Sequence, residues 1–368
     1  MKLSAEDEVQ PRTHAAGAPA VAGGGVLEGT PSWLQEFEPP WYLRNGHLQT
    51  IVGNFLPRKY SLPEPEARWI EVEAGEEHRH GPTMVACMCH WQCEPAACPT
   101  MLLLHGLEGS SNSQYVLGNA SRAWAGGWNV VRMNMRSCGG GEEQSPSLYH
   151  SGRSSDVGKV VMELVRHLSL PAIALVGYSM GGNMVLKLAG ELGEAAPPEL
   201  RAIVGVSPLM DLSASSDALH ELQNRLYERR FLRAMLRRFE RKSHLFPKVY
   251  PAPAYEPRSI CTMRDFDEHI VARYAGFSSA DDYYAQVSSS QFVSRIAVPT
   301  LILHAADDPF IRMLSETRRQ LESNPCVTLI ETKHGGHCAF LSKERGNDGY
   351  WAEKTLFGYL RATIDGGA

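Results

Sequence analysis

The feature that most limits how this chain can fold is a succession of short, continuous apolar runs separated by helix-length segments. The runs are Thr100-Met101-Leu102-Leu103-Leu104, Ala172-Ile173-Ala174-Leu175-Val176 and Ala202-Ile203-Val204-Gly205-Val206, with Trp128 to Met133 read as a further strand between the first two. They resume with Thr300-Leu301-Ile302-Leu303-His304 and Cys326-Val327-Thr328-Leu329-Ile330. A run without polar alternation reads as a strand covered on both faces. Helical patterns lie between them at Gln114 to Ala125 and at Ser154 to Leu168, with a last one at Tyr350 to Ile364. Strands alternating with helices of this length predict an α/β fold built on a mostly parallel, doubly wound sheet. Trp69 to Glu73 and Thr83 to His90 alternate in polarity instead, so an antiparallel hairpin is expected ahead of the parallel strands.

The pattern lapses from Leu209 to Ala297, which is helical and irregular, and then resumes. An insertion of that length inside a doubly wound sheet is expected to be a lid at about residues 209–297, within a single domain spanning residues 31–368. Residues 1–30 are rich in Ala, Gly and Pro and are expected to form a flexible tail. The following stretch, Pro39 to Ile51, reads as turn-rich chain anchored on the core by its aromatic residues.

Charge and composition remove several function classes. A net charge of −5 speaks against nucleic acid as a partner. No run reaches the length of a membrane span, and the acidic N-terminus lacks the apolar core of a secretory signal, so a cytoplasmic location is expected. Cys87, Cys89, Cys93 and Cys98 crowd together, but their spacing is not that of paired zinc ligands, and Cys87 and Cys89 fall on one face of an alternating strand. They read as structural thiols, with no metal and no cofactor implied.

The chemistry is carried by Gly177-Tyr178-Ser179-Met180-Gly181, at the junction of a buried strand and a helical pattern. In that context G-x-S-x-G is a nucleophile elbow, with the serine held proud of the carboxyl edge of the sheet. Acyl transfer at Ser179 needs an oxyanion hole, and His105-Gly106-Leu107-Glu108-Gly109 directly follows an earlier buried strand. The Leu107 and Met180 N–H groups are the expected donors. Asp307 and Asp308 compete for the orienting acid after the strand ending at His304, and the spacing to Pro309 favours Asp308. His337, preceded by two glycines, is the expected base, with His334 as its rival. The order Ser, Asp, His is that of the α/β-hydrolases.

These residues resemble the YheT-like α/β-hydrolases. The matching stretches are Leu43-Arg44-Asn45-Gly46-His47-Leu48-Gln49-Thr50, His105 to Ser110, Gly177 to Asn183, Phe266-Asp267 to Ala272-Arg273, Asp308-Pro309-Phe310 and His334-Gly335-Gly336-His337. The resemblance implies a serine hydrolase with a charge-relay triad, carried onto Ser179, Asp308 and His337. It implies carboxylesterase or acylglycerol-lipase activity on small-molecule or lipid esters. Acyl transfer with the same residues, or a non-catalytic binding role on the same fold, are the rival readings.

One further stretch stands out. Asn224 to Lys242 holds seven arginines and a lysine against two glutamates, with Leu232, Met235, Leu236 and Phe239 on one helical face. Its cationic side could meet anionic lipid as a peripheral membrane contact, or it could be a solvated basic face.

Overall fold

The computed structural model describes residues 31–75, 81–251, 259–343 and 348–366, with the backbone of Val21 and Ala22. In chain order the strands are β1 (Val21–Ala22), β2 (Glu66–Glu73), β3 (Thr83–His90), β4 (Thr100–Leu104) and β5 (Asn129–Met133), followed by β6 (Ile173–Tyr178), β7 (Leu200–Val206), β8 (Thr300–Ala305) and β9 (Val327–Thr332). They form one sheet in the order β1-β9-β8-β7-β6-β4-β5-β3-β2. The alternating segments β2 and β3 pair antiparallel, and β3 joins β5 antiparallel; every other pairing is parallel. The expected tail falls outside the described residues, apart from Val21–Ala22, whose backbone pairs with Ile330 and Glu331.

The helices are α1 (Gly46–Phe55), α2 (Gln114–Ala125), α3 (Ser154–Arg166), α4 (Met180–Leu192), α5 (Leu212–His220), α6 (Arg225–Leu245), α7 (Met263–Phe266), α8 (Arg273–Ala275), α9 (Ala280–Val287), α10 (Ser315–Ser323) and α11 (Trp351–Ile364). β4, β5, β6 and β8 are buried at every position, which is why their sequences show no alternation. One core lies against α2 and α11, through Val116, Ala120, Leu356 and Leu360. The other lies against α3 and α4, through Val157, Val160, Leu164 and Val185, and runs on into Met235, Phe239 and Tyr283 of the segment between β7 and β8. Each such side chain taken fully from water contributes about 1.5–3 kcal/mol, so these two layers carry most of the stabilisation. Among the described residues no helix is long and apolar enough to cross a membrane.

Two details differ from the sequence reading. The turn-rich stretch before Ile51 ends in the ten-residue helix α1, whose start is capped by Asn45 accepting from Leu48 N–H at 3.2 Å. Gly46, Gly53 and the β-branched Thr50, Ile51 and Val52 depress its intrinsic propensity, so tertiary contacts rather than local preference hold it. In α6 Leu232, Met235 and Phe239 of the apolar stripe are buried and Leu236 partly so, but Arg238 and Lys242 also turn inward. Lys242 donates to the carbonyls of Ser145 and Ser147, and burial beside Arg136 and Arg238 lowers its pKa to about 7.

The topology sets where a site can form. From β4 the chain moves outward to β5, then crosses back to place β6 on the other side of β4. Loops leaving β4 and β6 therefore diverge, which opens a crevice at the carboxyl edge. Register puts Leu104 opposite Gly177, so the turn after β4 emerges beside the elbow after β6.

Candidate active site

Ser179 sits between β6 and α4 with φ 54° and ψ −117°, a conformation that costs a non-glycine residue about 1–3 kcal/mol. The surroundings hold it there: its N–H donates to Val206 O at 2.9 Å, and its carbonyl accepts from Asn183 N–H and Leu209 N–H at 3.0 and 3.2 Å. A Cβ at Gly177 would run into the Gly181 carbonyl, and one at Gly181 into the His105 carbonyl. Glycine is needed at both because the strand, the turn and the helix approach backbone to backbone.

A line of hydrogen bonds leads away from the serine. Ser179 Oγ is 2.9 Å from His337 Nε2, and His337 Nδ1 is 2.8 Å from Asp308 Oδ2. The Asp308 side chain is wholly buried, and its other oxygen accepts from the N–H groups of Phe310 and Ile311 at 3.1 and 3.0 Å. Burial alone would raise its pKa, but the His337 ring and these donors hold it below the ordinary carboxylate value. For His337, burial opposes a charge, yet the Cys338 sulfur near Nε2 and the Asp308 carboxylate at Nδ1 outweigh it and set its pKa well above the ordinary range. Phe310 lies against the imidazole with ring centres 4.4 Å apart, and Tyr227 and Phe231 of α6 pack on Phe310.

The rival residues occupy other places. Asp307 accepts from Gly336 N–H at 2.9 Å and lies 3.4 Å from His334 Nδ1, so that pair braces the histidine turn from outside. His105 is buried; its Nδ1 faces Gly106 O at 2.7 Å and its Nε2 accepts from Met135 N–H at 3.1 Å. Burial lowers its pKa to about 4, and it acts as a neutral strut under the turn after β4. His47 stacks on Tyr227, and His150 accepts from Gly152 N–H through Nδ1.

The turn carrying Leu107 passes close over the serine, near enough that a Cβ on Gly106 would stand 3.1 Å from Ser179 Cβ. Met180 N–H is the first of α4 and so has no intrahelical partner. Glu108 fixes the turn from its far side. It has φ 55°, accepts from Arg238 Nε at 2.8 Å and from the Tyr149 hydroxyl at 2.5 Å, while Arg238 also donates to Ser137 O.

The stretch Asn45 to Thr50 supports the histidine. Thr50 Oγ1 accepts from His337 N–H at 2.8 Å and donates to Gly46 O at 2.7 Å. The buried Gln49 amide pairs with both backbone groups of Leu341, at 3.1 and 2.9 Å. No local pattern in the sequence announces these partners, because they lie 287 and 292 residues apart.

Ser179, Leu107, Glu108, Met180 and His337 open on a cavity of about 630 Å³ walled by Leu209, Leu212, Leu219, Phe231, Met235, Phe310 and Ile311, mostly from the segment between β7 and β8. Cys87 and Cys89 are both buried in β3 as free thiols, and burial pushes Cys89 up to about 12. Among the described residues no group of three or more His, Cys, Asp or Glu side chains is arranged to hold a metal ion.

The alpha/beta hydrolase fold family matches residues 99–344. The protein named "Putative esterase YheT" of Escherichia coli (strain K12) is 33% identical over 334 residues, covering 90% of this chain and 94% of that one. The chain belongs to the α/β-hydrolase family. The bovine (Bos taurus) relative named "Phospholipase ABHD3" is 28% identical over 272 residues, covering 73% of this chain and 65% of that one. Among solved structures, a 2,6-dihydroxy-pseudo-oxynicotine hydrolase superposes with a TM-score of 0.53 at 16% identity, covering 87% of this α/β-hydrolase chain and 72% of that one, a likeness of fold.

Proposed function

We propose that this chain is a serine hydrolase of carboxylic esters, cleaving them through an acyl-enzyme on Ser179. The observation that carries the reading is the unbroken hydrogen-bond line from Ser179 Oγ through His337 to Asp308, opening on an apolar-walled cavity. His337 Nε2 takes the hydroxyl proton as Ser179 Oγ attacks the acyl carbonyl carbon, and Asp308 holds the imidazole in the tautomer that leaves Nε2 free to accept. The Leu107 and Met180 N–H groups receive the negative charge that grows on the carbonyl oxygen. His337 then returns the proton to the departing alcohol. A water activated by the same nitrogen attacks the acyl-enzyme, and the acid leaves. The relatives named esterase and phospholipase support an ester as the bond cleaved. A fluorophosphonate probe should label the wild-type protein and fail to label Ser179→Ala; labelling that persists without Ser179 counts against the assignment.

Thr50 is expected to act through the histidine. Thr50→Val leaves His337 N–H without its acceptor, a loss of about 1–3 kcal/mol. We expect kcat to fall about ten- to hundredfold with KM nearly unchanged, and Thr50→Ser to recover most of it. An equal fall for the serine variant would show that the hydroxyl is not what matters.

A lipid surface fits the rim of the cavity. Ile51 and Phe55 of α1 line the cavity and are 44% and 60% exposed, and Leu48 on the same helix and Leu222 and Leu226 around the start of α6 are exposed as well. Arg230 of α6 reaches over the Phe55 ring at 5.6 Å. Among the described residues Arg225, Arg229, Arg230, Arg233 and Arg237 are exposed with no acidic side chain at ion-pair distance. Exposed apolar side chains together with unpaired cations on α6 match an anionic bilayer. Vesicles containing phosphatidylglycerol should co-sediment the protein and phosphatidylcholine vesicles should not. Glutamate at Arg229, Arg230 and Arg233 should abolish the difference; binding indifferent to lipid charge and to these substitutions would end the idea.

A further inference from the structure

The cavity onto which Ser179 opens also holds polar chemistry that the proposed mechanism leaves unused. Asp267 opens a single π-helical turn, Asp267–Ala272, set between α7 and α8. Such turns are rare and recur at functional sites, because the widened backbone re-aims a side chain. The Asp267 carboxyl lines the cavity, and Tyr284 donates to its Oδ2 at 2.7 Å. The Ser216 hydroxyl stands 3.2 Å from the same tyrosine oxygen. The cation whose charge reaches Asp267, Arg264, is committed to Asp217 at 2.9 Å and Asp281 at 2.6 Å.

A carboxyl group in this setting costs stability, since a side chain of similar volume without charge would pack there more cheaply. Burial raises its pKa to about 7 even with the Tyr284 hydrogen bond and Arg264 acting against the shift. Other polar groups converge on the same wall. The Tyr283 hydroxyl accepts from Ser151 N–H at 3.0 Å, which leaves its own proton to donate. The His150 ring accepts through Nδ1 from Gly152, which leaves its proton on Nε2. Ser215, Ser216, His150, Tyr283 and Tyr284 all line the cavity, whereas the wall around them, Leu212, Leu219, Met263 and Val271, is apolar. A few polar groups gathered within an apolar pocket are how binding sites orient a ligand.

We propose that Asp267, backed by Tyr284 and Ser216, is a substrate-recognition subsite for a hydrogen-bond-donating group, a hydroxyl or an ammonium, that the ester carries away from its scissile carbonyl. The proposal rests on the ester-hydrolase reading above and narrows its substrate class. A plain alkyl chain in this region strips water from the carboxyl and gives nothing back. A donor replaces that water, and sites of this kind reject analogues that lack the donor.

The test is a matched set of esters with alkyl, hydroxyalkyl and aminoalkyl chains of increasing length, on the acyl or the alcohol side. At one length the wild type should prefer a donor-bearing ester over its alkyl counterpart by at least about tenfold in kcat/KM. Asp267→Ala should bring that ratio close to one. Asp267→Asn, which keeps the volume and serves if the alanine variant fails to fold, should abolish a preference for the ammonium and only reduce one for the hydroxyl, which identifies the donor. No preference at any length in the wild type overturns the proposal. So does an equal fall for all esters in the Asp267 variants, the signature of a merely structural role. Calorimetric binding of the same esters to Ser179→Ala, with and without Asp267→Asn, needs no turnover. A binding preference there without wild-type hydrolysis keeps the subsite and removes the hydrolase reading, while hydrolysis without the preference does the reverse.

Discussion

Ser179→Ala is expected to lower kcat for ester hydrolysis by about 10⁶-fold, with KM changed by no more than a few fold. Without Oγ no acyl-enzyme can form, and the activity left is that of bound water facing the Leu107 and Met180 N–H groups. The loss should appear in kcat because the hydroxyl matters only once bonds are being made. Alanine keeps the Cβ at φ 54°, so the elbow stays strained to the same degree and thermal stability should hardly move. Steady-state kinetics on a chromogenic acyl ester, with a melting curve on the same sample, measures both. Retention of a hundredth of wild-type kcat would rule out the acyl-enzyme.

The second large effect is expected at Asp308. Asp308→Asn preserves volume and can still accept from Phe310 and Ile311, but its amide offers Nδ1 of His337 a donor or a neutral acceptor in place of a charge. The ring then loses the preference that keeps Nε2 ready for the serine proton, and kcat is expected to drop about 10⁴-fold. The pH profile adds an independent reading. The base works unprotonated, and its pKa lies above the ordinary histidine value, so kcat/KM should rise with pH through an apparent pKa higher than 6.5. Without the Asp308 charge the imidazolium is less favoured, so the residual activity should show that limb at lower pH. A limb that stays in place would mean that Asp308 is not what raises His337.

What could be read from the sequence was what local pattern encodes. Apolar runs gave the central strands nearly to the residue, since burial on both faces leaves little room for polar side chains. Ser179, Asp308 and His337 could be singled out because each follows its own strand, and their side chains do come within hydrogen-bonding distance of one another. Spacing favoured Asp308 over Asp307, and the two carboxylates point to different partners, Asp307 to the Gly336 turn and Asp308 to His337. The misses share a cause. Helix α1 is held by Gln49 and Thr50 reaching the other end of the chain, and no window of sequence contains both partners. Arg238 looked like one more surface cation on a basic helix, yet it binds Glu108 beneath it, a pairing set by how α6 lies across the sheet edge. Asp267 drew attention only as part of a family stretch, since neither its π turn nor its place on the cavity wall has a sequence period.

The support that α1 gives the histidine turn has a consequence for the order in which the chain comes into being. Synthesis delivers α1 first, then the strand and elbow that present Ser179, while Asp308 and His337 follow more than a hundred residues later. The contacts of Gln49 with Leu341 and of Thr50 with His337 close loops spanning most of the chain, and such contacts form late. A nascent chain stalled before residue 337 therefore carries Ser179 and α1 but not the histidine that α1 supports. If Ser179 is the nucleophile proposed above, its reactivity toward the probe should switch on only when the last strand and the turn beyond it have left the exit tunnel and found α1.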